Sequence, residues 1–394
     1  MSIFNSLGSN YNQHFIIHSF GFGRKRDTAR LKQLLHERYR AETIQLTYKG
    51  REAITLALKQ LDLPEGSLVA VNGFTCYAVY QGITAAGLKP YYLDIELGSL
   101  NFSPEILEQA LKNVKNIKAV IVQNTLGMPC NISSINSLCK QHNVTLVEDL
   151  AHSIGLDYKN GRQAGTVGQA SALSFSQDKM IDAVSGGAVI LQNSTEESPK
   201  AWSKINVRQR LACRLYPFET WFIRSTYKIG LGKLKLHFLK KLKLMPRPMS
   251  GAADTPHLLP SWFSRLAVLA FSNLESNIEH RQKIAEIYRK NLPKEILLRH
   301  VEGSLYLRFP ILIEDRRALI NFLKKSRIYV GDIWYDAPIG PKKYLSRTDY
   351  KNNQCPNSEF VAERILNLPT HININEEQAA KIAAKVDEWL KLER

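Results

Sequence analysis

The feature that most constrains this chain is an alternation, sustained from residue 52 to residue 149, of short apolar runs with stretches of helical spacing. LVAV (68–71), PYYLDI (90–95), KAVIVQ (118–123) and VTLVED (144–149) read as buried strands. Between and before them, Ile54, Leu58 and Leu61 lie on one face of a predicted helix over 52–61, and helices are predicted over 75–86, 104–111 and 132–142. Strands that lack polar alternation and alternate with helices call for right-handed βαβ units and a mostly parallel sheet covered on both faces. The fold class expected is therefore α/β.

After Asp149 the pattern changes. ALSFS (172–176) and GGAVIL (186–191) are short strand-like pieces set among glycines. A long helical stretch is predicted over 264–290, with Leu266, Leu269, Leu274 and Ile278 on one face. Strand-like YLRFPILI (306–313), a helix over 316–325, extended RIYVGDIWY (327–335) and a closing helix over 376–392 complete the chain. At 394 residues two domains are expected: a large one over 1–250 and a smaller α+β one over 251–394.

The net charge of +17 is concentrated: residues 203–247 hold twelve Lys or Arg against one acid, Glu219. Charge this local reports on a partner or a substrate. Within it, residues 228–249 place Leu231, Leu234, Phe238, Leu242 and Met245 at helical spacing, with Lys233, Lys240 and Lys241 elsewhere around the helix. Such a segment suits a membrane surface, the diphosphate of a nucleotide- or lipid-linked sugar, or a partner subunit. No nucleic-acid-binding motif accompanies the charge, so no nucleic-acid partner is expected. Five scattered cysteines without a CxxC pair argue against a zinc site or a disulfide framework. The N-terminal segment does not read as a signal peptide, and no run reaches the roughly 18 apolar residues of a spanning helix. A cytoplasmic location is expected.

Four demands of pyridoxal-phosphate (PLP) chemistry find candidates here in a consistent order: a lysine for the imine, an anion for the pyridine nitrogen, a donor-rich cup for the phosphate and a flat group over the ring. Asp149 ends a predicted buried strand, where open α/β sheets collect ligands; it could pair with a pyridine nitrogen or cap the next helix. Lys179 stands between apolar ALSF and SGGAVI, surroundings that can lower a lysine's pKa enough for attack on a carbonyl. Ser174 could give a phosphate hydroxyl. Gly50, Arg51 and Glu52 open the first helix, whose N-terminus can bind an anion. Cys76 or Tyr77 could cover the ring, and His152 reads as a positioning residue.

Taken together, these segments resemble the sugar-nucleotide aminotransferases of the DegT/StrS type, fold-type I PLP enzymes. The resemblance runs from about Gly50 to the C-terminal helix and centres on VEDLAHSIGLDYKNGRQAGTVGQASALSFSQDKMIDAVSGGAVIL. It implies a seven-stranded-type sheet with an appended small domain, Lys179 as the Schiff-base lysine and Asp149 as the partner of the pyridine nitrogen. It further implies His152 at the cofactor's oxygen or ring, Ser174 at its phosphate, and Arg51 and Glu52 at the backbone donors of the phosphate-binding helix start. The activity implied is amino transfer from an amino acid, glutamate foremost, to a nucleotide-linked ketosugar in amino-sugar or surface-polysaccharide synthesis, by a homodimer. Lysine at 179 argues against the related dehydratases, which carry histidine there. The chain departs from the pattern where the family usually has small residues at 51 and 52, where Cys76 falls at the ring-stacking position, and where Pro260, Ser261 and Trp262 replace an Asn-Tyr-Arg sequence. Those departures leave open a second reading, a PLP-fold binding or scaffold protein that no longer transaminates.

Overall fold

A computed structural model describes residues 2–192, 202–249 and 253–393. Helices α1 (Gln13–Ser19) and α2 (Lys25–Tyr39) precede the sheet strand β1 (Thr43–Thr47) and α3 (Gly50–Lys59). Then come β2 (Leu68–Asn72), α4 (Tyr77–Ala85), β3 (Lys89–Leu93), α5 (Pro104–Asn113), β4 (Ile117–Val122), α6 (Ile132–Gln141) and β5 (Thr145–Asp149). Strands β6 (Ala170–Ser174) and β7 (Gly187–Leu191) complete one seven-stranded sheet in the order β1-β7-β6-β5-β4-β2-β3. Five neighbouring strands, β3, β2, β4, β5 and β6, run parallel, and β7 runs antiparallel to both β6 and β1. The expected mostly parallel α/β sheet is present. Its central strands are buried on both faces, which is why their sequences read as continuous apolar runs.

The highly charged segment forms two helices, α7 (Val207–Thr226) and α8 (Leu231–Lys241). The helix expected over 264–290 is two: α9 (Ser261–Phe271) and α10 (Leu274–Asn291). Ser272 Oγ and Asn273 Nδ2 both donate to the Leu269 carbonyl, at 2.8 and 2.9 Å. Short polar side chains that bond back to the main chain compete with helix continuation, and Asn273 leaves helical geometry at ψ 10°.

The expected domain boundary near residue 250 falls on 250–252, outside the described residues. On its C-terminal side, α9 lays Phe263, Leu266 and Phe271 into the core beneath the sheet. Helix α10 joins two cores, Leu274 and Ile278 belonging to the first and Ile284 and Tyr288 to the second. The second core gathers β8 (Phe309–Leu312) and β9 (Ile365–Leu368), an antiparallel pair, with α11 (Arg316–Lys325) and α13 (Glu376–Glu393); α12 (Pro356–Arg364) leads into β9. The N-terminus crosses to this unit, Ile3 and Phe4 pairing in parallel with Ile328 and Tyr329.

Candidate active site

Alternation along β5 sends Glu148 and Asp149 to opposite faces, and each side has its own use. Glu148 is fully buried and accepts hydrogen bonds from Gly165, Val167 and Gly168 N–H at 2.7–2.8 Å and from Tyr158 Oη at 3.0 Å. The Gly-x-x-Gly turn is thus wrapped round a carboxylate. Gly165 sits at φ +99°, and a Cβ on Gly168 would come 2.7 Å from the Leu146 carbonyl, so both positions need glycine.

Asp149 faces the other way, toward Lys179. Its Oδ1 accepts from Ala151 N–H at 2.9 Å, the local turn that the capping alternative foresees, while Oδ2 takes no hydrogen bond from the described residues. Burial pushes its carboxyl up to about 6, against the opposing pull of the Ala151 N–H and the Lys179 ammonium. At Lys179, loss of water lowers the ammonium's pKa; Cys76 and Asp149 work against that shift, and Arg308 adds to it.

Lys179 is set by its loop. Asp178 takes a left-handed conformation, φ +61°, and its N–H donates to Asp182 at 2.8 Å. Asp182 in turn accepts from Val184 N–H at 2.9 Å and from Tyr11 Oη at 2.6 Å. Asn10 Nδ2 donates to the Lys179 carbonyl at 2.9 Å, and Ser9 Oγ to Asp178 at 2.6 Å. The N-terminal segment therefore fixes the lysine loop from outside the sheet.

The amine itself lies 4.4 Å from the centre of the Trp334 ring. The same ring stacks on His152 at 5.6 Å between centroids and carries the Arg308 guanidinium at 3.9 Å. His152 Nδ1 accepts from Leu126 N–H at 3.2 Å, which leaves the proton on Nε2, 3.4 Å from Tyr335 Oη. Burial and the two cations Lys179 and Arg308 hold the imidazole neutral, well below its usual pKa. Gln123, at the end of β4, takes up Tyr335 and Thr75.

Next to this cluster, the first turn of α3 stands against the end of β6. A Cβ on Gly50 would come 2.7 Å from Ser174 Cβ, and Ser174 Oγ is 3.0 Å from Ser176 Oγ. The result is two hydroxyls beside helix N–H groups that lack intrahelical partners. Arg51 and Glu52 reach outward from that turn. Arg51 donates to Gln81 and to the carbonyls of Pro248 and Met249. Glu52, wholly buried, accepts from Tyr48 N–H at 3.2 Å and from His257 N–H and Nδ1 at 3.1 and 2.9 Å. The two charged side chains bind the chain on either side of 250–252.

Cys76 caps α4, Sγ accepting from Ala78 N–H at 3.5 Å, and lies 4.0 Å from Met249 Sδ. Tyr77 stacks between Tyr80 and Tyr344, at 5.7 and 4.6 Å. Trp262 is buried, its indole N–H donating to the Ser19 carbonyl at 2.9 Å. Of the residues expected at the site, the structure brings Lys179, Asp149, His152 and Cys76 together, with Gly50, Ser174 and the main chain of Arg51 and Glu52 adjoining. It takes the Glu52 carboxylate and the Tyr77 ring elsewhere. Trp334, Arg308, Asp182 and Met249 were not singled out from sequence. The aromatic pair in the extended 327–335 stretch was the one available signal. Among the described residues no group of His, Cys, Asp and Glu could hold a metal, and no helix is long and apolar enough to cross a membrane.

The DegT/DnrJ/EryC1/StrS aminotransferase family matches over residues 27–205 and 264–387. The chain belongs to that family and is a PLP-dependent aminotransferase. It is 25% identical to a pleiotropic regulatory protein of Geobacillus stearothermophilus over 87% of this chain and 83% of the relative. It is 26% identical to the GDP-perosamine synthase of Vibrio cholerae over 84% and 82%. Among solved structures, the aminotransferase TlmJ of Streptoalloteichus hindustanus superposes with a TM-score of 0.73 at 18% identity, over 99% of this chain and all of that one.

Proposed function

We propose that the enzyme transfers an amino group from an amino acid, glutamate foremost, to a ketosugar carried on a nucleotide, in amino-sugar or surface-polysaccharide synthesis. The observation that carries this reading is the Lys179 amine, desolvated against Trp334 and opposite a buried carboxylate, Asp149, at the end of a parallel strand. The GDP-perosamine synthase among the relatives supports the sugar-nucleotide class. Bound PLP supplies an electron sink for a carbanion. The residues fit that group: Asp149 Oδ2 is unpartnered, and the Gly50 turn admits no side chain beside Ser174.

In this reading Lys179 would hold the cofactor, and its Nζ would be the group that takes up and returns a proton. Burial lowers the ammonium's pKa, which favours the free amine that accepts a proton. Asp149 keeps the pyridine nitrogen protonated. Ser174, Ser176 and the Gly50 and Arg51 N–H groups would hold the phosphate, and His152 would offer its Nε2 proton to the cofactor. Cys76, in the place of a stacking aromatic, covers the ring with Met249 beside it. A homodimer belongs to the same proposal, as does a cytoplasmic location.

An absorbance spectrum of the purified protein tests it. A band near ~420 nm that shifts on adding glutamate, followed by recovery on adding a ketosugar nucleotide, is expected from a conjugated imine at Lys179. A colourless protein that added PLP does not change would overturn it.

A further inference from the structure

Residues 206–249 lie outside both stretches shared with the family, and their two helices are built to face something other than this chain. The inner faces are accounted for. Gly232 packs so tightly on α7 that a Cβ would come 2.2 Å from the Ile223 carbonyl. Arg208 ties to the Leu242 carbonyl at 2.7 Å, and Lys235 pairs with Glu219 at 2.6 Å.

The outer face of α8 is different. Leu231, Leu234, Phe238 and Leu242 recur at steps of three, four and four, one stripe of the helix, and each is 50–55% exposed. Lys233, Lys240 and Lys241 on the same helix are exposed as well. Helix α7 adds exposed Leu211 and Leu215, and just after α1 the Phe22 ring, 77% exposed, lies under the Arg214 guanidinium at 4.9 Å. The sole acid between 203 and 247 is already paired with Lys235, so no acid of the segment itself offsets the charge around the stripe.

An apolar stripe of this kind on a soluble protein marks a contact surface. Its charge selects the occupant. An apolar protein face would take the leucines and leave the lysines uncompensated, whereas an anionic bilayer takes both, the apolar side chains at the acyl boundary and the ammonium groups among headgroup phosphates. We propose that the α7–α8 hairpin docks this enzyme on an anionic membrane surface, with the Leu234–Phe238 stripe of α8 lying in the headgroup layer. The hairpin's exit is held at the first turn of α3 through Arg51 and Met249. The inference does not rest on which sugar the enzyme aminates.

The test is co-sedimentation of the full-length protein with vesicles of phosphatidylcholine alone or mixed with phosphatidylglycerol. Pelleting is expected with the anionic vesicles only, declining as salt rises. Leu234→Asp with Phe238→Asp should abolish pelleting while the absorbance spectrum and Tm stay unchanged. Lys233→Gln, Lys240→Gln and Lys241→Gln should each weaken binding about fivefold. Failure to pellet with anionic vesicles, or pelleting of the double Asp variant like the parent, would overturn the proposal. If pelleting is absent and the double Asp variant also sediments as a smaller species than the parent, the stripe is an interface between copies of this chain.

Discussion

The Arg51 guanidinium holds the main-chain carbonyl of Met249 at 3.3 Å, across 198 positions of sequence. This contact explains a departure from the family pattern that the sequence leaves without a purpose. Charge at positions 51 and 52 does not fill the cup beside Ser174. It straps down the chain that returns from the α7–α8 hairpin, Arg51 from one side and Glu52, through His257, from the other. Arg51→Ala should release that strap. Hydrogen bonds to a charged group are each worth about 1.5–3 kcal/mol, so denaturant unfolding should register a loss of a few kcal/mol. Trypsin should also cut after Lys243 faster than in the parent, as limited proteolysis followed by mass spectrometry would show.

Lys179 is the residue whose loss should separate catalysis from folding. Lys179→Ala removes a desolvated amine and leaves the loop bonds of Asp178, Asp182 and Asn10 in place. Amino transfer should fall by at least about 10³-fold, the scale of a lost proton-transfer group, and the ~420 nm band should vanish. The circular-dichroism melt should stay within a few degrees of the parent. Transfer activity that survives at the parent's level would remove Lys179 from the mechanism.

Asp149 should show a trade between stability and function. Its carboxyl titrates at about 6 because burial outweighs its one N–H bond. A carboxyl raised in the folded state stabilises the fold while protonated, and that contribution is lost as pH rises through about 6. The shift from 3.8 to about 6 corresponds to about 3 kcal/mol at most. Asp149→Asn apoprotein should therefore melt higher than the parent at pH 8, with the gap narrowing below about 6 and closing only as pH approaches 3.8. Cofactor affinity should move the other way. In the parent it should fall about tenfold per unit below pH 6, as the anion facing the pyridine nitrogen is neutralised, and in Asp149→Asn it should be low and flat with pH. Fluorescence titration with PLP from pH 5 to 8 measures both.

Much of this was legible in the sequence because the signals were local. The runs at 68–71, 118–123 and 144–149 are strands of the sheet because burial on both faces writes itself as an apolar segment, and the run at 90–95 holds the edge strand, which is only partly covered. Lys179 and Asp149 stood out for the same reason, as charged residues set in apolar surroundings. What escaped depends on partners far away in sequence. The break at Ser272 and Asn273 turns on side chains bonding back to Leu269, a choice that apolar periodicity does not reveal. Trp334 and Arg308 arrive at Lys179 from the C-terminal part of the chain, and nothing in their own neighbourhood points to β5. Met249 meets Cys76 and Arg51 across 173 and 198 positions of sequence.

Trp334 gives the last prediction. Its ring touches the Lys179 amine on one side of a cluster that also holds His152 and Arg308. A cofactor joined to that amine must come within a few ångströms of the indole, close enough to quench its fluorescence. Of the five tryptophans, Trp262 and Trp389 are buried in the two cores, Trp202 packs against the apolar cluster of α3 and α4, and Trp221 lies on α7. PLP addition should therefore quench the parent strongly and Trp334→Phe much less, with Trp221→Phe behaving like the parent. Loss of the ring also uncovers the guanidinium of Arg308, which keeps its bonds to Asp332 at 3.0 Å. The KM for the amino donor should then shift more than kcat in Trp334→Phe, because the residue shapes the wall of the site and carries no proton. Equal quenching in parent and Trp334→Phe would mean that the cofactor binds away from this ring.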